Sequence, residues 1–141
     1  DQIRRKFYTW LSANELDEPT LFAPIATIAA FRKGEEWRKA MLAYIEDNIR
    51  FVEDYCRDHI PGIRPLRPQA SFLVWLNCQD LHLSHDALLD LFIDKAHLAL
   101  NDGEMFGPGG EGFMRLNVAT PRSILQQALK QLKEAVKTIE N

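Results

Sequence analysis

The sequence predicts an α+β fold: a small mixed or antiparallel sheet with helices packed on it, in two layers. Three observations carry this reading. Residues 71–77 and 113–119 alternate with the two-residue period of strands, so successive side chains point to opposite faces. Residues 35–59 and 124–139 repeat their apolar positions at three- and four-residue steps, the stripe of an amphipathic helix. Glycine and proline punctuate the chain between these runs, at Pro61-Gly62 and through 103–112.

The elements follow in order. The stretch before Asp17 is mixed; Phe7, Tyr8, Trp10 and Leu11 supply apolar bulk without an evident backing. Asp17-Glu18-Pro19 reads as a helix start, and the helix runs to about Phe31 with apolar residues nearly all round, so it wants burial on several sides. Gly34 closes it. The next helix spans about 35–59, with Trp37, Met41, Tyr44, Ile45, Val52, Tyr55 and Cys56 on one stripe and Glu46, Asp47, Arg50, Glu53, Asp54 and Arg57 opposite. Residues 63–66 form a short strand that Pro65 and Pro68 place at an edge. Residues 71–77, apolar on both faces, form a central strand. Ser84 caps a helix from His85 to about Lys95. Residues 98–101 read as a further strand. After a glycine-rich loop comes the strand 113–119, and then a helix with Thr120 as N-cap and Pro121 as first residue. Its apolar stripe is Ile124, Leu125, Ala128, Leu129, Leu132, Ala135, Val136 and Ile139.

Composition bounds the function classes. A chain of 141 residues with 46% hydrophobic and 26% charged residues suits one soluble core. A net charge of −3 without a clustered basic face argues against nucleic-acid binding. No apolar run approaches the roughly 18 residues that would span a bilayer. Cys56 and Cys78 lack metal-type or redox-type spacing and read as buried reduced thiols. His82 and His85, three positions apart at a helix entrance, read as surface histidines rather than a metal pair. Glu35, Glu36 and Glu53 read as solvated helix faces, and Ser123 as part of a helix start.

The position that points to chemistry is Arg115. It shares a strand face with Phe113, Asn117 and Ala119, while Met114, Leu116 and Val118 take the other. A guanidinium in an apolar strand is costly unless an anion meets it, and arginine grips a carboxylate with two parallel hydrogen bonds. The same spacing also suits an edge strand whose arginine reaches solvent. The loop 102–112 has no dinucleotide or Walker fingerprint and reads either as a flexible connector or as a gating loop.

The segment Asp102-Gly103-Glu104-Met105-Phe106-Gly107-Pro108-Gly109-Gly110-Glu111-Gly112-Phe113, followed by Arg115-Leu116-Asn117 and Thr120-Pro121-Arg122-Ser123, resembles the C-terminal signature of fold-type-I pyridoxal-phosphate enzymes. It is most similar to the cystathionine β-lyase-like C–S lyase branch of the class I/II aminotransferases. The helical segments around Pro24-Ile25-Ala26-Thr27-Ile28-Ala29-Ala30 and Gly34-Glu35-Glu36-Trp37, Tyr44-Ile45 with Asn48, and the strand Ser71-Phe72-Leu73-Val74-Trp75-Leu76 extend the resemblance over nearly the whole chain.

The resemblance implies a small C-terminal domain over 35–141, with 1–34 belonging to the end of the large-domain region and a connecting helix. It implies that Arg115 binds the α-carboxylate of an amino-acid substrate, and that Phe106, Gly107, Gly109 and Gly110 belong to a loop at the active-site mouth. Arg122 matches the motif and reads as structural. The parent enzyme would use pyridoxal phosphate, act in the cytoplasm and form a homodimer. None of Lys6, Lys33, Lys39, Lys95, Lys130, Lys133 or Lys137 sits in the serine- and small-residue-rich setting of the family's Schiff-base lysine. The chain is therefore expected to be the C-terminal portion of a larger enzyme, inactive alone, with no catalytic residue or bound cofactor or metal of its own, and to self-associate through 18–32. The alternative is a non-enzymatic α+β interaction domain whose apolar N-terminal helix docks on a partner.

Overall fold

The computed structural model describes residues 1–139 and divides the chain into two compact units, Asp1–Met41 and Leu42–Asn141. The first unit holds α1 (Gln2–Ala13), α2 (Ala23–Lys33) and the opening turns of α3 (Glu35–His59). α1 occupies the stretch whose pattern is mixed in the sequence. α2 begins at Ala23, later than the Asp17-Glu18-Pro19 signal implies. Asp17 instead takes a hydrogen bond from the Ser12 hydroxyl, and Glu15 turns out of α1 with φ 54°. The helix starts only where Pro24 can occupy its first turn. Gly34 ends α2 with φ −88°, not in the left-handed region; a Cβ there would lie 2.5 Å from the Ala30 carbonyl oxygen, so close approach is what requires glycine. No residue of α1 or α2 is buried, and Leu21, Phe22, Ile25, Ile28 and Phe31 are 51–87% exposed.

The second unit contains the core. Its sheet has the order β1-β2-β4-β3, antiparallel throughout, from β1 (Arg64–Leu66), β2 (Leu73–Asn77), β3 (Asn101–Asp102) and β4 (Phe113–Asn117). β1 lies at the edge, with Pro65 opposite Leu76, and β2 is interior, as the sequence predicts. Ser71, at φ 77°, delays β2 to Leu73. The strand expected over 98–101 shrinks to two residues. His97 has φ 55°, and the Leu98 N–H turns back to the Phe92 carbonyl at 2.7 Å, so the chain enters the sheet late.

One face of the sheet carries Val74, Leu76, Met114 and Leu116, all buried with the helical residues Ile49, Val52, Leu88, Phe92, Leu125, Leu129 and Leu132. From α3 the core takes Ile45, Asn48, Ile49, Val52 and Cys56; Trp37 and Tyr44, expected on that stripe, are 70% and 46% exposed. α4 (His85–Asp90) is capped by Ser84, whose Oγ accepts from the Ala87 N–H at 3.3 Å, and it continues as a π-helical turn through Leu91–Lys95.

α5 (Arg122–Lys137) starts one residue later than Thr120-Pro121 predicts. Pro121 is extended, with ψ 138°, and the free Arg122 N–H donates to the Tyr44 hydroxyl at 2.7 Å instead of to a side-chain cap. Ile124 falls off the buried stripe and is 54% exposed.

Cys56 and Cys78 are both buried and free. Burial pushes each thiol up to about 12, and the neighbouring Cys56 adds to the rise at Cys78. Neither is a thiolate at neutral pH. Alkylation with a maleimide or iodoacetamide at pH 8 should therefore label neither residue until denaturant unfolds the chain. Rapid native labelling, quantified by mass spectrometry, would contradict this burial.

Candidate functional site

The face of the sheet opposite the core holds the site. β4 is interior, so Arg115 has a strand on each side: Trp75 of β2 and Asn101 of β3 are its direct cross-strand partners. Arg115 Nη2 donates to Asn101 Oδ1 at 2.8 Å. The Phe106 ring lies over the guanidinium, with Cζ 4.5 Å from the ring centroid. Phe106 in turn meets Trp75 edge to face at 5.3 Å, and Trp75 meets Phe113 at 6.4 Å. Arg115 Nε is buried and has no hydrogen-bond partner among the described residues. An unsatisfied buried donor costs about 1–3 kcal/mol, more for a charged group. A carboxylate is the group that would satisfy it.

The loop that carries Phe106 is pinned at its neck. A Cβ on Gly103 would lie 2.1 Å from the Gly110 carbonyl oxygen, and one on Gly110 would lie 2.0 Å from that of Gly103. Only glycine at both places lets the two backbones cross so closely. Beyond the neck, Gly107 and Gly109 take φ 104° and 91°, the left-handed side that other residues avoid. The loop and sheet enclose a pocket of about 330 Å³, lined by Leu66, Trp75, Phe106, Pro108 and Phe113 and by Gly103, Gly107, Gly109 and Gly110.

The structure thus brings Phe106, Gly107, Gly109 and Gly110 together beside the strand of Arg115. Asn117, on the same strand face, is exposed and accepts the Ala119 N–H at 2.9 Å, a local turn that leaves it out of the site. Sequence reasoning missed Trp75 and Asn101 as partners of Arg115. Trp75 had a usable signal, its phase in the β2 alternation; Asn101 had none, because the cross-strand register decides its role. Arg122 faces away: its Nε donates to Asn48 Oδ1 at 2.7 Å, and Cζ sits 4.6 Å from the Phe51 ring centroid. Among the described residues no group of three His, Cys, Asp or Glu side chains could hold a metal ion.

The surroundings of Arg115 suit a carboxylate, not pyridoxal phosphate. No lysine lines the pocket. Lys39, Lys95 and Lys137 pair with Glu36, Asp90 and Glu134.

Comparison with known proteins places this geometry. The chain is 36% identical over 137 residues to the cystathionine β-lyase PatB of Bacillus subtilis, an alignment covering 96% of the chain and 35% of PatB. It is 32% identical to the protein MalY of Escherichia coli over 88% of the chain and 32% of MalY. A solved structure, cystalysin of Treponema denticola with a pyridoxal 5'-phosphate cofactor, superposes with a TM-score of 0.74 at 30% identity, covering 77% of the chain and 28% of cystalysin. This chain matches the C-terminal part of the cystathionine β-lyases and pyridoxal-phosphate-dependent aminotransferases. A PLP-bound protein from Clostridium difficile 630, described as an aminotransferase, superposes with a TM-score of 0.89 at 33% identity over 96% of the chain and 35% of that protein. The chain spans about a third of the length of the curated relatives it matches. No family model matches it. The α+β architecture is that of the small domain of these fold-type-I enzymes. Among the described residues no helix is long and apolar enough to cross a membrane.

Proposed function

We propose that this chain is the substrate-carboxylate-binding portion of a cytoplasmic, homodimeric pyridoxal-phosphate enzyme acting on amino acids, a C–S lyase or an aminotransferase. The observation that carries the reading is the buried, unpartnered Nε of Arg115 beside an Nη2 already oriented by Asn101. Arg115 binds the α-carboxylate and so fixes the orientation of the substrate's reacting bonds. It positions and does not transfer a proton. Pyridoxal phosphate, when bound to the parent, supplies the electron sink for the reaction. Its anchors lie on other parts of the enzyme.

Because Arg115 Nε has no exposed surface, a carboxylate reaches it when the Phe106 ring moves aside. The loop carrying Phe106, Gly107, Gly109 and Gly110 therefore opens and recloses over the substrate, with its glycine neck as the fixed point. Residues 1–34 belong to the connection with the large domain, and 35–141 form the small domain.

The isolated chain is expected to be inactive, because none of its lysines lies beside this site. Mixing it with pyridoxal phosphate and desalting should leave no cofactor absorbance and no product. The full-length parent, treated identically, should keep both. A lasting cofactor band on the isolated chain, mapped to one lysine and accompanied by turnover, would overturn the assignment. The exposed apolar side chains within residues 18–32 should also drive the isolated chain to self-associate, since monomers rarely leave an apolar patch above roughly a few hundred Å² uncovered. Light scattering over a concentration series reads this directly; a strict monomer throughout would contradict it.

A further inference from the structure

His85 is the second group that the sequence leaves at the surface, and the structure gives it a place. It is the first residue of α4, held there by the Ser84 cap. Its Nδ1 lies 3.1 Å from Glu104 Oε1 and its Nε2 lies 3.4 Å from Asp102 Oδ2. Both carboxylates belong to the short segment 101–106, which also carries the two groups that hold Arg115. Asn101 accepts from Arg115 Nη2, and Phe106 stacks on its guanidinium. Along this segment the side chains of Asn101 and Phe106 serve Arg115, and those of Asp102 and Glu104 serve His85.

The segment has little else of regular structure to fix it. β3 is two residues long, and the chain enters it from the irregular stretch after His97. Asp102 divides its oxygens: Oδ1 accepts the Glu104 N–H at 3.0 Å and shapes the turn, while Oδ2 faces His85. The imidazole therefore ties the stem of the loop to a capped helix, below the Gly103–Gly110 neck. The stem stays in register while the tip beyond the neck is free to move.

We infer that His85 is a positioning residue for substrate carboxylate binding: by clamping Asp102 and Glu104 to α4 it holds Asn101 and Phe106 against Arg115. The inference rests on the reading of Arg115 as the carboxylate ligand. His85 touches neither substrate nor Arg115 and acts through the segment between them.

The test is steady-state kinetics on the full-length holoenzyme with His85→Ala, His85→Gln and Arg115→Lys, using an amino-acid substrate and the corresponding amine that lacks the carboxylate. His85→Ala should raise KM for the amino acid about fivefold, the scale of two partly exposed ion-pair arms lost together, with kcat within about twofold. The amine should be handled as by wild type. His85→Gln, which keeps amide donors for the same carboxylates, should recover much of the loss. Should His85→Ala not fold, Glu104→Gln takes its place, and its KM should rise about twofold. If Arg115→Lys impairs the amino-acid reaction and the His85 variants leave KM unchanged, the inference about His85 fails and the reading of Arg115 stands. The same holds if the variants impair amino acid and amine equally, which is the mark of a merely structural histidine. If Arg115→Lys has no effect, the reading of Arg115 fails and the inference goes with it.

Discussion

Arg115→Lys in the full-length parent is expected to lower kcat/KM for the amino-acid substrate about 30-fold or more, with cofactor content unchanged. The positive charge survives the change, but the planar fork does not. Lysine cannot stack flat beneath Phe106, and it cannot meet Asn101 and a carboxylate with the fixed geometry that Arg115 has. Losing a charge-assisted contact in a desolvated site costs about 2–5 kcal/mol, and roughly 1.4 kcal/mol corresponds to a decade in rate. Cofactor content should hold, because no residue that touches Arg115 or lines the pocket suits pyridoxal phosphate. Amines without the carboxylate should lose much less. Wild-type efficiency in this variant, or loss of cofactor instead, would make Arg115 a structural residue.

A second large effect is expected at Asn48, which is fully buried in α3. Its Nδ2 donates to the Val118 carbonyl at 2.8 Å and to the Thr120 carbonyl at 3.0 Å, and its Oδ1 accepts from Arg122 Nε at 2.7 Å. These bonds join the end of the Arg115 strand to the first turn of α5. Asn48→Ala strands two carbonyls and one guanidinium N–H in the interior. Each unsatisfied group costs about 1–3 kcal/mol, and some of that cost relaxes away, so a destabilisation of about 3 kcal/mol is expected. Urea denaturation reads it as a lower midpoint with an unchanged slope. A loss below about 1 kcal/mol would mean that water or a local shift replaces the amide without penalty.

The expectations that held were the ones set by periodicity. The stripe of α3, the edge position of Pro65, the interior alternation of β2 and the Ser84 cap all follow from local pattern and backbone chemistry. The misplaced boundaries have tertiary causes. α2 starts late because Asp17 closes the end of α1, and α5 starts late because Tyr44, far away in sequence, supplies a partner for Arg122. The strand expected over 98–101 is shortened by a left-handed His97 that no local pattern announces.

The site divides the same way. The face carrying Arg115 follows from alternation, and its role from family resemblance. Asn101, Trp75 and the cover of Phe106 depend on strand register and on a glycine neck, and neither is written in any single stretch of the chain. The grip of His85 on two carboxylates likewise needs the fold to bring α4 beside residues 101–106.

The central claim is that Arg115 receives a substrate carboxylate. Calorimetric titration tests it most directly, with an unreactive amino-acid analogue and its decarboxylated amine each titrated into the wild-type holoenzyme and the Arg115→Lys variant. The account predicts that wild type prefers the analogue bearing the carboxylate by about 30-fold or more, and that most of this preference disappears in the variant. An undiminished preference for the carboxylate in Arg115→Lys would contradict it.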